Sequence, residues 1–291
     1  MDTVGQRELN SKQILTLKRT VAKIPFKIST SSMVLREGLL ENVRFLGNFF
    51  DYIEIVLFQT KEFNNLPTSH ELEELAEMAE RKKITYSVHL PASLEVAAED
   101  GKRREESIQS VFEIITLMAE CRPRNYILHI PLTTPTLTFI PGCYFYEADQ
   151  DKFKGWTLRA VAALRAIQQL TGIGDKLLVE NINYSPSVLE PLWTNKLCGL
   201  CLDLGHLILG RENVLDILKK YAQVTREIHL HGVKDNDEHQ ALSIVPLHRV
   251  KGWVKYLDSI QYNGVVNLEV FTLDDLEASL GILGGIDGFL Q

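Results

Sequence analysis

Short apolar runs rich in Val, Ile and Leu alternate along this chain with longer stretches in which apolar residues recur every three or four positions. The short runs predict buried strands, and the longer stretches predict amphipathic helices. Eight strands are predicted, at 26–30, 52–58, 84–90, 125–131, 176–182, 199–204, 227–232 and 265–271. Helices are predicted between them, at 37–48, 69–82, 103–120, 153–171, 211–222, 246–260 and 273–281. This alternation is typical of repeated β-α units around a parallel sheet.

No segment rich in Gly, Pro or Ser divides the eight units, so we predict a single closed (β/α)8 TIM barrel. A doubly wound open sheet is the alternative. Residues 25–291 would form the barrel, and residues 1–24 would form an N-terminal extension that "SKQILTLKRTVAKI" predicts to be helical. The helix at 69–82 has an N-cap candidate in Thr68 or Ser69, and Thr272 precedes two acids at the start of the last helix.

The connection after the fourth strand, residues 132–155, is longer than a βα-loop usually is. Loops of this length usually serve a function or are disordered. Three successive aromatic residues, Tyr144, Phe145 and Tyr146, argue against a plain linker. We expect these aromatic side chains to contact substrate, in a loop of the kind that can close over an active site as a lid.

Composition narrows the class of protein. No apolar run approaches the roughly eighteen residues of a membrane span, and the polar start "MDTVGQRELNSKQ" lacks a signal-peptide core, so we expect a cytoplasmic, soluble protein. The CxxC of Cys198 and Cys201 lies in an apolar strand and is interpreted as core rather than as half of a zinc ribbon. The net charge of −7 and the pI near 5.7 argue against a duplex DNA substrate, because DNA-binding proteins usually present a basic face.

Acids and histidines lie at the C-terminal ends of the predicted strands, where a barrel of this type forms its active site. These residues are His89, His129, Glu180, Asp203 with His206, His229 with His231, and Glu269, and Asp237 and His239 follow on the loop after the seventh strand. A lone histidine at such a position is more often a hydrogen-bonded residue than a metal ligand. A buried carboxylate, in contrast, requires a cation, a hydrogen-bond donor or a raised pKa.

Few Arg or Lys residues lie at these strand ends, so bound divalent cations would have to supply the positive charge. Mixed imidazole and carboxylate ligands suit zinc, manganese or iron, whereas magnesium and calcium prefer oxygen ligands. One zinc ion takes about four ligands, so a set of this size implies several ions that share carboxylates. Multi-metal sites of this kind are typical of phosphate ester hydrolysis.

The ordered motifs resemble those of the xylose-isomerase-like TIM barrels, and among them the endonuclease IV branch, AP endonuclease family 2. The matching strings are "YSVHLP" with His89, "YILHIP" with His129, "LVEN" with Glu180, "LDLGH" with Asp203 and His206, "HLHGVK" from His229 to Lys234, "DEH" with Asp237 and His239, and Glu269 at the end of the eighth strand. Any one motif is weak, but the ordered set across about 26–271 is strong.

The resemblance implies a site of three zinc ions. It would make Glu180 a bridging ligand, with His89 and His129 on one ion. Asp203, His229 and Glu269 would surround a second ion, and His206, Asp237 and His239 a third. The chain departs from the DNA-repair members in two ways, since "DEHQALSI" lacks their glycine-rich loop and His231 stands where they usually have Asn. We expect His231 to contact substrate.

A second resemblance links "DYIEIVLFQT", "NLPTSHELEELAEMA" and "ITYSVHLP" to the cobamide-remodelling phosphodiesterases, which cut the nucleotide loop of a corrinoid. We therefore predict a metal-dependent phosphodiesterase that acts on a small-molecule or nucleotide-type phosphodiester, such as a cobamide nucleotide loop. Zinc is the first choice of cofactor, up to three ions, with Mn2+ or Fe2+ as alternatives. Glu180 and Glu269 are the candidate catalytic carboxylates. Glu54 and Tyr184 are interpreted either as substrate contacts or as structural residues.

Two other functions remain open at this stage. A sugar or sugar-phosphate isomerase or epimerase of the wider superfamily needs only a Glu, Asp, His, Glu quartet, which the chain also contains. The additional His89, His129, Asp237 and His239 favour phosphodiester hydrolysis. A binding protein that retains the pocket without catalysis is a third hypothesis, because a fold does not fix a function.

Overall fold

Eight parallel strands surround a common axis in the computed structural model, which describes residues 11–132 and 150–286. The strands are β1 (Lys27–Thr30), β2 (Tyr52–Val56), β3 (Thr85–His89), β4 (Asn125–Leu128), β5 (Leu177–Glu180), β6 (Gly199–Asp203), β7 (Thr225–Leu230), the short pair β8 (Gly232–Lys234) and β9 (Asp237–Gln240), and β10 (Val265–Leu268). Seven of the eight barrel strands lie inside their predicted ranges. β7 begins earlier than predicted, because the polar Thr225 and Arg226 do not mark a strand.

The sheet order is β1-β10-β7-β6-β5-β4-β3-β2, with all neighbours parallel. The two outer strands meet through a parallel bridge between Ser31 and Glu54, and the Ser32 amide donates to the Glu54 carbonyl at 2.8 Å. A doubly wound sheet would leave both of these edges open. The (β/α)8 TIM barrel is therefore confirmed.

Helices cover the outside of the barrel with their apolar faces. They are α1 (Ser11–Val21), α2 (Leu39–Leu46), α3 (Ser69–Lys82), α4 (Gly101–Met118), α5 (Gln150–Thr171), α6 (Glu190–Thr194), α7 (Leu204–Leu209), α8 (Val214–Tyr221), α9 (Leu247–Ser259) and α10 (Leu273–Gly284). The N-terminal α1 contacts α10, where Thr20 lies against Gly284. Within the described residues, no helix combines the length and the apolar composition that crossing a membrane requires.

Among the described residues, the short helices α6 and α7 and the short strands β8 and β9 were not predicted from the sequence. Helices α6 and α7 contain 5 and 6 residues, too few to show a helical repeat of apolar positions. The antiparallel pair β8–β9 lies in the segment that follows β7. Of the long connection after β4, residues 133–149 lie outside the described residues, and Tyr144, Phe145 and Tyr146 are among them.

The interior of the barrel is partly polar. Buried side chains there include Ser29, Ser87, Asn125, Glu227 and Asn267. The Glu227 carboxylate accepts hydrogen bonds from Ser87 Oγ and Asn125 Nδ2, both at 2.7 Å. Burial, together with the nearby Glu54 carboxylate, raises the pKa of Glu227 to about 7. The thiols of Cys198 and Cys201 are buried and free.

Candidate metal centre

Glu180 occupies the middle of the barrel mouth. It is the last residue of β5 and is fully buried. Its Oε2 lies 3.4 Å from His89 Nε2, 3.2 Å from His129 Nε2 and 3.3 Å from His229 Nδ1. Its Oε1 lies 3.5 Å from His206 Nδ1. Because parallel strands end at one edge, side chains that are far apart in sequence meet here around one carboxylate.

Among the groups of potential ligand atoms that share this carboxylate, two together contain six of the expected ligands. His89, His129 and Glu180 form the first group, and Glu180, Asp203, His229 and Glu269 form the second. Within each group the ligand atoms lie within 4.8 Å of one another. His229 Nδ1 lies 3.1 Å from Glu269 Oε2 and 3.9 Å from Asp203 Oδ2. The arrangement offers two adjacent cation positions joined by Glu180.

Hydrogen bonds fix which ring nitrogen of each histidine faces the centre. His89 Nδ1 lies 2.9 Å from the Leu90 carbonyl, to which it donates, so the lone pair is on Nε2. His229 Nε2 lies 2.9 Å from Glu54 Oε2 and donates to it, so the lone pair is on Nδ1. These tautomers are assigned from the hydrogen-bond partners. In the neutral imidazoles, both lone pairs point towards Glu180 Oε2.

Several polar atoms of the centre are buried and have no hydrogen-bond partner among the described residues. They are His89 Nε2, His129 Nε2, both carboxylate oxygens of Glu180, His229 Nδ1 and Glu269 Oε2. Buried polar atoms without partners are rare and costly, since they have lost their bonds to water. Divalent cations bound between these atoms would satisfy all of them. The donor set therefore fits metal ions.

In the absence of bound cations, protons satisfy some of these buried atoms. Burial on its own would lower the pKa of His89, but the carboxylates of Glu180, Glu54 and Glu269 outweigh burial and raise the pKa to about 9. Burial would raise the pKa of the Glu269 carboxyl, yet the neighbouring His229 and His239 hold that pKa well below its usual range. Metal ions must displace the proton from His89, so binding at neutral pH is expected to release protons.

Asp203 joins the centre to the short helix α7. Its Oδ1 caps that helix by accepting the His206 main-chain N–H at 2.7 Å, and its Oδ2 faces His231 Nε2 at 3.2 Å. His231 Nδ1 accepts the main-chain N–H of His239 at 3.0 Å. A Cβ at Gly205 would overlap the His231 ring, so only glycine fits there. His231, expected at the substrate, is fully buried and contacts Asp203.

In the segment after β7, Asp237 was the expected metal ligand, but the neighbouring Glu238 is the acid that contacts a residue of the centre. Asp237 is exposed, and its Oδ2 accepts a hydrogen bond from Gln240 Nε2 at 2.9 Å. The next residue, Glu238, places its Oε1 3.0 Å from His206 Nε2. His239 Nδ1 lies 3.2 Å from the Glu269 carbonyl, and its ring packs against Phe271 with centroids 4.4 Å apart. Eight of the nine expected ligands thus gather at the mouth, and Asp237 does not.

Two further residues define the surroundings of the centre. Tyr184 is fully buried, and its hydroxyl donates to the Ile130 carbonyl at 3.0 Å, which ties the ends of β4 and β5 together. Glu54 lies under His229, where it accepts the hydrogen bond described above. The sequence signal for Glu54 was an acid inside an apolar strand, which requires a partner. Glu238 lies in a polar stretch of the sequence, so nothing there indicated that it would contact the centre.

A sequence model of the xylose isomerase-like TIM barrel family matches residues 40–284. The chain therefore belongs to that family. Among curated proteins, none matches the chain in sequence.

Solved structures with this fold include proteins of two kinds. A D-tagatose 3-epimerase-like protein is 19% identical, with a TM-score of 0.69 over 89% of this chain and 96% of that one. Endonuclease IV from Thermus thermophilus is 18% identical, with a TM-score of 0.63 over 88% of this chain and 98% of that one. AP endonuclease, family 2 from Brucella melitensis is 15% identical, with a TM-score of 0.60 over 88% of this chain and 96% of that one. Such identities show the fold alone, so function must be argued from the site.

Proposed function

We propose that this protein is a divalent-metal-dependent phosphodiesterase whose substrate is a small-molecule or nucleotide-type phosphodiester, such as the nucleotide loop of a cobamide. One observation carries the proposal. The buried ligand atoms, most of them without a hydrogen-bond partner among the described residues, form two groups that share Glu180. One cation takes about four ligands, so these six ligand residues are more than one cation requires. A polynuclear centre suits phosphodiester hydrolysis, in which attacking and leaving oxygens both need stabilisation.

In this proposal, His89, His129 and Glu180 would hold one ion. Glu180 would also serve a second ion, together with Asp203, His229 and Glu269, and His206 and His239 would contribute to a third. Zinc is the first choice because imidazole and carboxylate ligands are mixed, and Mn2+ and Fe2+ are the alternatives. Bound ions would activate a water molecule and neutralise the charge that develops on the phosphoryl oxygens.

Glu269 is the stronger candidate for the general base. Its side chain is 6% exposed and lies beside two imidazoles, whereas that of Glu180 is 1% exposed and lies among four. A base must reach the proton that it accepts, either directly or through one water molecule. We therefore infer that Glu269 takes a proton from water in the mouth and that Glu180 holds its neighbours in position.

A sugar or sugar-phosphate epimerase is the second candidate, favoured by the group Glu180, Asp203, His229 and Glu269, which could hold a single ion. The two glutamates would then exchange a proton at a carbon next to a carbonyl. The structural likeness to an epimerase-like protein fits this candidate. The pair His89 and His129 has no role in it, and for that reason we prefer hydrolysis.

Metal content and turnover of the purified, metal-replete protein separate the two candidates. Phosphodiesterase function predicts about three ions per chain and hydrolysis of an aryl phosphodiester or a cobamide, whereas epimerase function predicts about one ion and no hydrolysis. Glu180→Gln and Asp203→Asn are each expected to abolish hydrolysis while far-UV circular dichroism stays unchanged. Full activity in both variants would reject these roles.

A further inference from the structure

The antiparallel pair β8–β9, which we call the β8–β9 hairpin, turns at two residues with left-handed backbone. Asp235 and Asn236 have φ angles of 52° and 67°. A two-residue turn with positive φ at both positions suits a tight hairpin, and Asp and Asn tolerate this conformation well. The turn brings the residues of β9 back over the mouth beside α7, which the hairpin contacts.

The hairpin also contains a β-bulge. Lys234 pairs with Asp237, and Gly232 pairs with Gln240, so two steps along β8 match three steps along β9. His239, inside the longer strand, has a left-handed φ of 58°. In a regular strand Asp237 and His239 would share one face, since side chains alternate. The extra residue breaks that alternation.

The contacts of the three residues follow from the bulge. Asp237 is exposed and bonded to Gln240, whereas Glu238 and His239 both contact residues of the metal centre. Bulges are common beside active sites, where they redirect a side chain. The left-handed φ of His239 lets the longer strand accommodate its extra residue. As a result, the carboxylate of Glu238, and not that of Asp237, lies beside His206.

We propose that Glu238, and not Asp237, supplies the carboxylate ligand of a third cation position, together with His206 and His239. The proposal rests on the polynuclear centre proposed above. His206 Nδ1 donates to the Asn181 carbonyl at 2.7 Å, so its Nε2 lone pair faces Glu238 Oε1 at 3.0 Å. Two acceptors at that distance repel each other unless a cation or a proton lies with them. Glu238 Oε1 is buried and has no hydrogen-bond partner among the described residues.

In this proposal His239, which lies on the same strand as Glu238, is the third ligand. Its Nδ1 lies 3.2 Å from the Glu269 carbonyl and donates to it, which leaves Nε2 free to bind an ion. Two imidazoles and one carboxylate make a ligand set that zinc commonly takes with an open fourth place. Through this position, the hairpin would contribute directly to metal binding.

Metal stoichiometry tests the assignment with a matched pair of neighbouring acids. The wild-type protein, Glu238→Gln and Asp237→Asn are loaded with zinc, dialysed against zinc-free buffer and analysed by inductively coupled plasma mass spectrometry. We expect about three ions in the wild type and in Asp237→Asn, and about two in Glu238→Gln. Circular dichroism and melting temperature report folding. If Glu238→Gln does not fold, Glu238→Asp replaces it. The expected result is then weaker binding of the third ion.

Each other outcome overturns the assignment in a recognisable way. Three ions in Glu238→Gln would mean that Glu238 only pairs with a protonated His206. Loss of an ion in Asp237→Asn alone would return the ligand role to Asp237, and the phosphodiesterase proposal would stand. About one ion in the wild type would overturn both proposals together.

Discussion

Glu54 shows how one buried residue can set the chemistry of another. Its Oε2 accepts the His229 Nε2 hydrogen at 2.9 Å, while its Oε1 accepts hydrogen bonds from Asn267 Nδ2 at 2.8 Å and from Ser31 Oγ at 3.3 Å. These bonds fix both the carboxylate and the imidazole tautomer. A ligand histidine held in this way presents Nδ1 to the centre without having to reorient on binding.

Glu54→Ala is therefore expected to weaken zinc binding by about 10- to 100-fold, the usual effect of losing an outer partner of a ligand histidine. Competition with a chromophoric chelator measures the affinity. Glu227→Gln is the control, because Glu227 is also a buried barrel carboxylate, but it accepts hydrogen bonds from Ser87 and Asn125 instead. Equal zinc affinities in the two variants would contradict a positioning role for Glu54.

The candidate site was predictable where residue type and strand position were sufficient. His89 and Glu180 end parallel strands, so the sequence alone brings them together. The partner of Glu54 was not predictable, since His229 lies 175 residues away and only barrel closure aligns them. The position of Glu238 beside His206 was also hidden, because the Asp-x-His spacing suits a regular strand and nothing in the sequence indicates the bulge.

At the scale of elements, helix α3 resolves an alternative that the sequence left open. Thr68, not Ser69, is its N-cap. The Thr68 hydroxyl accepts the Glu71 N–H at 3.3 Å, and Glu71 Oε2 accepts the Thr68 N–H at 2.8 Å. This reciprocal pair is a capping box, which satisfies two main-chain donors that the helix itself leaves free.

Thr68→Ala is expected to lower the free energy of unfolding by about 1 kcal/mol, the typical cost of losing an N-cap. Ser69→Ala changes the first helical residue instead and is expected to have an effect of about zero, as surface substitutions usually do. Urea denaturation monitored by circular dichroism compares both variants with the wild type. A larger loss in Ser69→Ala than in Thr68→Ala would contradict the assignment of the cap.

Element length explains which parts of the fold the sequence predicted. The long amphipathic helices and apolar strands carry several repeats of their pattern, so α3 and most barrel strands were found within a residue or two. Helix α7 has only 6 residues and begins where Asp203 caps it. The same aspartate lies in the candidate metal centre, so this short helix depends on the site as much as on its own sequence.

At the scale of the whole molecule, charge and surface both bear on the proposed substrate. The chain carries a net charge of −7, so its long-range field repels a polyanion. Phe271, which packs on His239, is 37% exposed, and Ile244, whose side chain lies against Gly232 of the hairpin, is 41% exposed. Apolar side chains beside a polar centre suit a compact ligand with an apolar part better than a phosphate backbone.

A duplex DNA competitor is therefore expected not to inhibit hydrolysis of an aryl phosphodiester at about 0.15 M salt, where non-specific DNA binding depends on cationic contacts to phosphates. The measurement is the initial rate with increasing abasic duplex, at two salt concentrations. Lys and Arg residues total 31 against 38 acids, so few counterions would be released on contact with DNA. Inhibition at submicromolar duplex that weakens steeply with salt would instead show a DNA-binding face, and would move the proposed substrate from small phosphodiesters to nucleic acid.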